Sequence, residues 1–216
     1  MRLNASSPWI PLALSGDIPN GTVIPATLCS KPIAIWRSQS GQVNANGNRC
    51  PHRGMRLSHG FVRGETLSCI YHGWRFGQDG ACQHIPAHPD VVPPASINCG
   101  PLQVAEQDGV IWVAEDQVES QPPRLDGLKP LRSLVFCAEP EAILTASGGT
   151  EVDLGVEATL AGTRICLLLQ GQAPAETLCL VLVDQATSPK ACAEISRALE
   201  GIRRRAEGET EKRGAA

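Results

Sequence analysis

Two short stretches decide how this chain reads: CPHRGM at residues 50–55 and CIYHGW at residues 69–74. Together they give Cys-x-His, sixteen intervening residues, then Cys-x-x-His, so Cys50, His52, Cys69 and His72 stand out as one set of donors. Gly54 and Gly73 follow the histidines and let each loop turn tightly, while Pro51 stiffens the first loop.

Two thiolates and two imidazoles suit a [2Fe-2S] cluster in which two Cys hold one iron and two His hold the other. Two ferric ions, two sulfides, two thiolates and two neutral imidazoles sum to zero charge, whereas four thiolates start at minus two. The mixed set therefore accepts an electron more readily. Zinc also takes Cys2His2 sets and stays open as the alternative. Against it stand the order Cys, His, Cys, His and the intervening residues, which read as strands of a larger domain.

Working outward, 216 residues fit one large domain or two small ones, and 42% hydrophobic content is enough for a core. A net charge of -3 gives no general basic field for nucleic acid. MRLNASSPWIP has no long apolar run, so a signal peptide is not expected. The runs ICLLL and LCLVLV are too short to cross a bilayer. Nine cysteines, an odd number scattered singly, do not form a disulfide framework and point to a reducing cytoplasm. Cys29, Cys82, Cys99, Cys137, Cys166, Cys179 and Cys192 read as small buried hydrophobes.

Before residue 116 the chain reads as short strands between turns: GTVIPATLC, KPIAIWRS, VNANGNRC, ETLSCIYHGW, WRFGQDGAC and GVIWVAE. Turn candidates are SG at 40–41, NG at 46–47, RG at 63–64 and DG at 79–80 and 108–109. Residues 117–130, with three prolines, read as a linker. Beyond it, 133–138, 141–146, 151–160, 163–170 and 177–184 read as strands. A helix then starts with Ser188 as N-cap and Pro189 at its first position. Its apolar stripe is Cys192, Ile195, Leu199 and Ile202, opposed by Glu194, Arg197, Glu200 and Arg204. The expected organisation is an all-β domain over 1–116, the linker, a small α+β domain over 131–208 with an antiparallel sheet and C-terminal helix, and a disordered tail over 209–216.

Residues 8–116 resemble the N-terminal Rieske domain of the Rieske non-heme iron oxygenases, the aromatic-ring-hydroxylating dioxygenases and related demethylating monooxygenases. The similar stretches are PWIPLALSGDIPNGTVIP, NRCPHRGMRLSHGFVRGETLSCIYHGWRFGQDGACQHIPAHP and VAEQDGVIWVAE. The resemblance implies antiparallel sheets with two cluster-binding hairpin loops, Cys50 and Cys69 on the buried iron and His52 and His72 on the outer one. It also implies a low-potential cluster. Met55 and Tyr71 stand where the Rieske proteins of respiratory complexes have a further disulfide, and Trp74 replaces a serine that hydrogen-bonds the cluster there. Tyr71 and Trp74 are expected to shield the cluster; His59, His84 and His88 read as surface or turn histidines.

A complete oxygenase of this kind carries a second, helix-grip domain with a mononuclear iron on two His and a carboxylate. All five His of this chain lie at or before His88, so no such triad is available downstream. The second domain reads as a shortened helix-grip. The functional expectation is a [2Fe-2S] electron-transfer protein of an oxygenase-like system, one cluster per chain and no mononuclear iron. It would be fed by a reductase or ferredoxin and would serve an acceptor oxygenase or partner subunit, without membrane or nucleic acid and with a homo-oligomer left open. The alternatives are an oxygenase component active only with a partner subunit, and a non-enzymatic redox sensor or assembly protein.

Overall fold

The computed structural model describes residues 7–214, with side chains described through residue 208. The first ten strands are β1 (Trp9–Leu14), β2 (Val23–Leu28), β3 (Lys31–Arg37), β4 (Val43–Gly47), β5 (Phe61–Arg63), β6 (Thr66–Ser68), β7 (Arg75–Phe76), β8 (Cys82–His84), β9 (Pro101–Gln107) and β10 (Val110–Ala114). One sheet has the order β1-β10-β9-β4-β3-β2, and β5-β6-β7-β8 form a second. The registered pairs β2–β3, β3–β4 and β4–β9 are antiparallel, as are the successive pairs of the second sheet.

The remaining elements are β11 (Leu128–Phe136), α1 (Pro140–Ser147), β12 (Thr150–Val152), β13 (Gly155–Leu160), β14 (Thr163–Ala173), β15 (Glu176–Asp184) and α2 (Pro189–Gly214). The five strands make an antiparallel sheet ordered β11-β15-β14-β13-β12. The expected mostly β chain, closed by an antiparallel sheet and a C-terminal helix, is present.

Along β14, Ile165, Leu167 and Leu169 join the core under the helices, yet Cys166 and Leu168, which point the other way, are buried too. A strand buried on both faces loses its polar alternation, which is why ICLLL reads as one apolar run. Ile195, Leu199, Ile202 and Ala206 of α2 complete the core against Phe136, Val156 and Val181. The helix starts as expected: Ala191 N–H donates to Ser188 Oγ at 3.2 Å.

Three local readings need correction. Residues 141–146 are helical, not a strand: Pro140 occupies the first turn and Gly148 closes it in the left-handed region at φ 62°. Ala142, Ile143 and Ala146 are buried there; a short apolar run does not by itself separate strand from helix. Residues 151–160 split into β12 and β13, a tight hairpin with Val152 opposite Gly155. The NG at 46–47 lies inside β4 and is no turn. Asn46 Oδ1 accepts from Trp36 Nε1 at 2.6 Å, and a Cβ on Gly47 would stand 2.8 Å from the Cys99 carbonyl oxygen. Close approach and a buried partner override turn propensity at both residues.

Of the seven further cysteines, Cys82, Cys99, Cys166 and Cys179 are buried and Cys29 and Cys192 half-buried, but Cys137 is exposed. It lies just past the end of β11, where the alternation of that edge strand turns it outward.

Contacts group the described residues through Leu14, Gln107–Ile111 and the described residues from Pro122 onward into one compact unit. Ser15–Glu106 and Trp112–Gln121 form the other. The stretch expected as a linker, 117–130, is held by side chains. Gln103 exchanges two hydrogen bonds with Val118, Gln107 Nε2 donates to the Pro122 and Pro123 carbonyls, and Leu125 N–H donates to Asp108 Oδ2 at 2.8 Å. The tail expected over 209–216 falls where no side chains are described, and residues 215–216 lie outside the described residues. Among the described residues no helix is long and apolar enough to cross a membrane, which says nothing of strands.

Candidate metal centre

Both motif stretches fold into the same loop. Cys50 N–H donates to the Met55 carbonyl at 2.8 Å and Gly54 N–H to the Cys50 carbonyl at 2.8 Å. In the second loop Cys69 N–H donates to Trp74 at 2.9 Å and Gly73 N–H to Cys69 at 3.0 Å. Gly54 and Gly73 sit at φ 69° and 70°, the left-handed conformation this frame needs. Gly73 has a second reason, because a Cβ there would meet Pro86 Cγ at 3.0 Å. The frames match, but the histidine is the third residue of one loop and the fourth of the other.

The four donors separate by burial. Cys50 and Cys69 are 3% and 1% exposed and within hydrogen-bonding reach of each other; His52 is half-buried and His72 exposed. The imidazole rings meet edge to face with centroids 4.6 Å apart. Trp74 of the second loop stacks on His52 of the first, 4.3 Å between centroids and 5° from parallel, and Tyr71 leans on His72 at 4.0 Å. The two rings expected to shield a cluster thus also fix the orientation of both histidines.

Burial pushes the Cys50 thiol up to about 11; the His52 and Arg53 backbone N–H groups pull it back, and Cys69 pushes it further. Metal binding here must therefore displace a proton from sulfur. His52 is held below its usual value, first by desolvation and then by the positive charges of His72 and Arg53. That favours the neutral imidazole, the form that ligates metal. A buried thiol pair beside an outer imidazole pair matches the donor chemistry of a two-iron core, which asks two protein donors of each metal. Among the described residues no three His, Cys, Asp or Glu converge as a site for one ion.

The loops rest on a base that the sequence reading missed. Asn48, 3% exposed, donates through Nδ2 to Ser58 Oγ at 2.9 Å and accepts from Ser58 N–H at 2.8 Å, tying the two ends of the first loop together. Cys82 and Cys99 lie in the same core as Cys50 and Cys69. Burial pushes the Cys99 thiol up to about 12, and its Sγ donates to the Gly80 carbonyl at 3.3 Å. Of the other histidines, His59 is the exposed last residue of a 3-10 turn, His84 is half-buried on β8 and His88 is exposed in a turn.

The sequence pattern of the Rieske [2Fe-2S] domain matches residues 8–117. The oxidoreductase NdmD of Pseudomonas putida is 44% identical over 115 residues, covering 53% of this chain and 20% of that protein. Chlorophyllide a oxygenase of Chlamydomonas reinhardtii is 37% identical over 149 residues, 69% of this chain and 21% of that protein. The matched stretch thus spans about a fifth of these relatives. Apo dicamba monooxygenase superposes with a TM-score of 0.74 at 18% identity over 96% of this chain and 87% of that chain, a likeness of fold.

Proposed function

The chain belongs to the Rieske [2Fe-2S] domain family through residues 8–117, and from that premise we propose that it is an electron-transfer component of an oxygenase system. Cys50 and Cys69 hold the inner iron, and His52 and His72 hold the outer one. The bound cluster supplies one-electron chemistry. The residues do the rest: the buried thiols set the inner end, the ring pair sets the outer end, and Trp74 and Tyr71 keep both imidazoles in place.

The observation that supports this reading most is the pair of identical loop frames that set two thiols inside and two imidazoles outside. Electrons enter from a reductase or ferredoxin and leave to an oxygenase or to an iron site on a partner subunit. Relatives named as an oxidoreductase and an oxygenase support that setting. The chain carries no mononuclear iron of its own, because no histidine follows His88. It works in a reducing compartment such as the cytoplasm, where its nine free cysteines stay unpaired.

The test is reconstitution followed by iron and acid-labile sulfide analysis and EPR of the dithionite-reduced sample. Two irons and two sulfides per chain with a one-electron signal are expected. Zinc without sulfide sinks the cluster assignment. A third, tightly held iron that supports substrate oxidation sinks the statement about mononuclear iron.

A further inference from the structure

The end of the stretch that reads as a linker is fixed in place rather than slack. Leu125 N–H donates to Asp108 Oδ2 at 2.8 Å, Leu128 N–H to the Leu125 carbonyl at 3.1 Å, and Gln185 N–H to the Gly127 carbonyl at 2.8 Å. So held, residues 124–128 line one side of an open cleft of about 540 Å³. The β12–β13 hairpin, through Val152, Asp153 and Leu154, lines another. A Cβ at Gly155 would collide with the Leu167 carbonyl oxygen, so glycine lets this hairpin lie against β14. Glu157 and Cys166, directly opposite each other on β13 and β14, form the floor. Their strand neighbours Val156, Ala158, Ile165 and Leu167 fill the core beneath the helices, so the floor faces the other way. All these residues belong to one compact unit.

The size falls in the range of about 300–1,000 Å³ usual for small-molecule sites, and the lining mixes apolar surface with a few polar groups as such sites do. Its charge is one-sided. Asp126, Glu151, Asp153 and Glu157 line the cleft against two guanidinium groups, Arg124 and Arg164. Both guanidiniums already face carboxylates: Arg164 pairs with Glu157, and Arg124 with Asp108 and Asp126 at 3.4 Å each. An anionic ligand would have to displace one of these partners, whereas a cation adds to the surplus of carboxylates. Among the described residues the carboxylates do not converge as a site for one metal ion. We propose that the cleft binds a small organic cation, an amine with an apolar body. Its ammonium group meets Glu157 on the floor and Asp126 at the rim, and its body lies on Leu125, Leu128 and Val152. Apolar walls around the half-buried Glu157 lower the local dielectric and strengthen that pairing. The inference goes beyond the electron-transfer reading and does not rest on it.

The test uses the oxidised, cluster-loaded protein and phenethylamine as probe, with phenethyl alcohol and phenylpropionate as the neutral and anionic controls of similar shape. Binding is read by titrated amide shifts in NMR, and cluster content is measured on the same samples. Phenethylamine should shift residues 124–128, 151–157 and 164–166 saturably, about tenfold tighter than either control. Glu157→Gln should weaken it about tenfold, and Asp126→Asn, a change at an exposed rim position, about threefold. Val152→Lys, which sets a fixed cation among the lining residues, should abolish binding with the thermal midpoint kept. Glu194→Gln, an exposed carboxylate on α2, should change nothing. Absence of saturable shifts, equal or tighter binding of phenylpropionate, shifts that map outside the cleft, or an affinity that none of the cleft variants moves overturns the inference. Loss of iron and sulfide with the amine still bound would instead count against the electron-transfer reading alone.

Discussion

Cys50 in the first loop and Cys166 on β14 are both buried, and burial pushes both thiols up to about 11. Only their company differs. Cys50 faces a second thiol, two backbone N–H groups and, further out, two imidazoles. Cys166 lies between Glu157 and Leu182 across its two neighbouring strands, with the Arg164–Glu157 ion pair nearby and no second thiol or imidazole among the causes of its raised pKa. Burial and a raised pKa therefore do not mark a ligand; converging donors do. On the proposed reading Cys50 is buried to hold a metal, whereas Cys166 is a small side chain that fills space.

Serine at each position gives the sharpest test of that contrast. Cys50→Ser should lose iron and sulfide altogether, since a hydroxyl is a poor ligand for a soft metal. Cys166→Ser should retain the full iron–sulfide content and lose about 1–3 kcal/mol of stability from a buried hydroxyl, read by denaturant midpoints. Cluster loss in both variants would erase the distinction.

The helix–sheet core offers the converse change. Ile202 is fully buried between α2 and the sheet. Ile202→Ala should cost about 2–4 kcal/mol, while the iron and sulfide per folded molecule stay at the wild-type level. A variant that loses cluster in proportion to stability would mean that the loops depend on that core.

A smaller effect is expected at Trp74, which holds His52 by stacking alone. Trp74→Leu keeps an apolar cover but removes the parallel ring. It should speed iron loss to a chelator about tenfold, in the range typical of groups that orient a ligand. An unchanged rate would leave Trp74 as cover only.

The loops were legible because their information is local: ligand, glycine and spacing lie within six residues of one another. The burial order of the donors was implied by family resemblance rather than by the residues themselves. Asn48 escaped because its role depends on Ser58, across the loop from it. The α1 segment was misread for a related reason: EAILTA (141–146) suits a strand or a helix, and the deciding residues, Pro140 and Gly148, lie outside the run. The NG of β4 shows tertiary contact overruling a local signal, since Trp36 and Cys99 claim the two positions.

The smallest effect tests whether polar burial elsewhere in the same compact unit as the loops behaves like the thiol pair or like packing. Arg37 is almost buried and donates to the Ile18 carbonyl at 2.7 Å, the Gly41 carbonyl at 3.0 Å and Glu106 at 2.8 Å. The hydrogen bond from Arg37 holds the Glu106 carboxyl below its ordinary 4.5, with burial opposing and Ser15 and the Arg37 charge assisting. A carboxylate depressed by folding stabilises the fold above its unfolded pKa and loses that contribution as pH falls through the folded one. Glu106 is 38% exposed, so solvent screening limits the pair to about 0.5–1 kcal/mol. Glu106→Gln should therefore trail the wild type by that margin at pH 7, and the gap should narrow as pH drops below 4.5. Comparing the two proteins at each pH cancels the acid lability of the cluster, which both share. A gap that stays constant across that range would assign the stabilisation to shape and hydrogen bonding, with no share from the carboxylate charge.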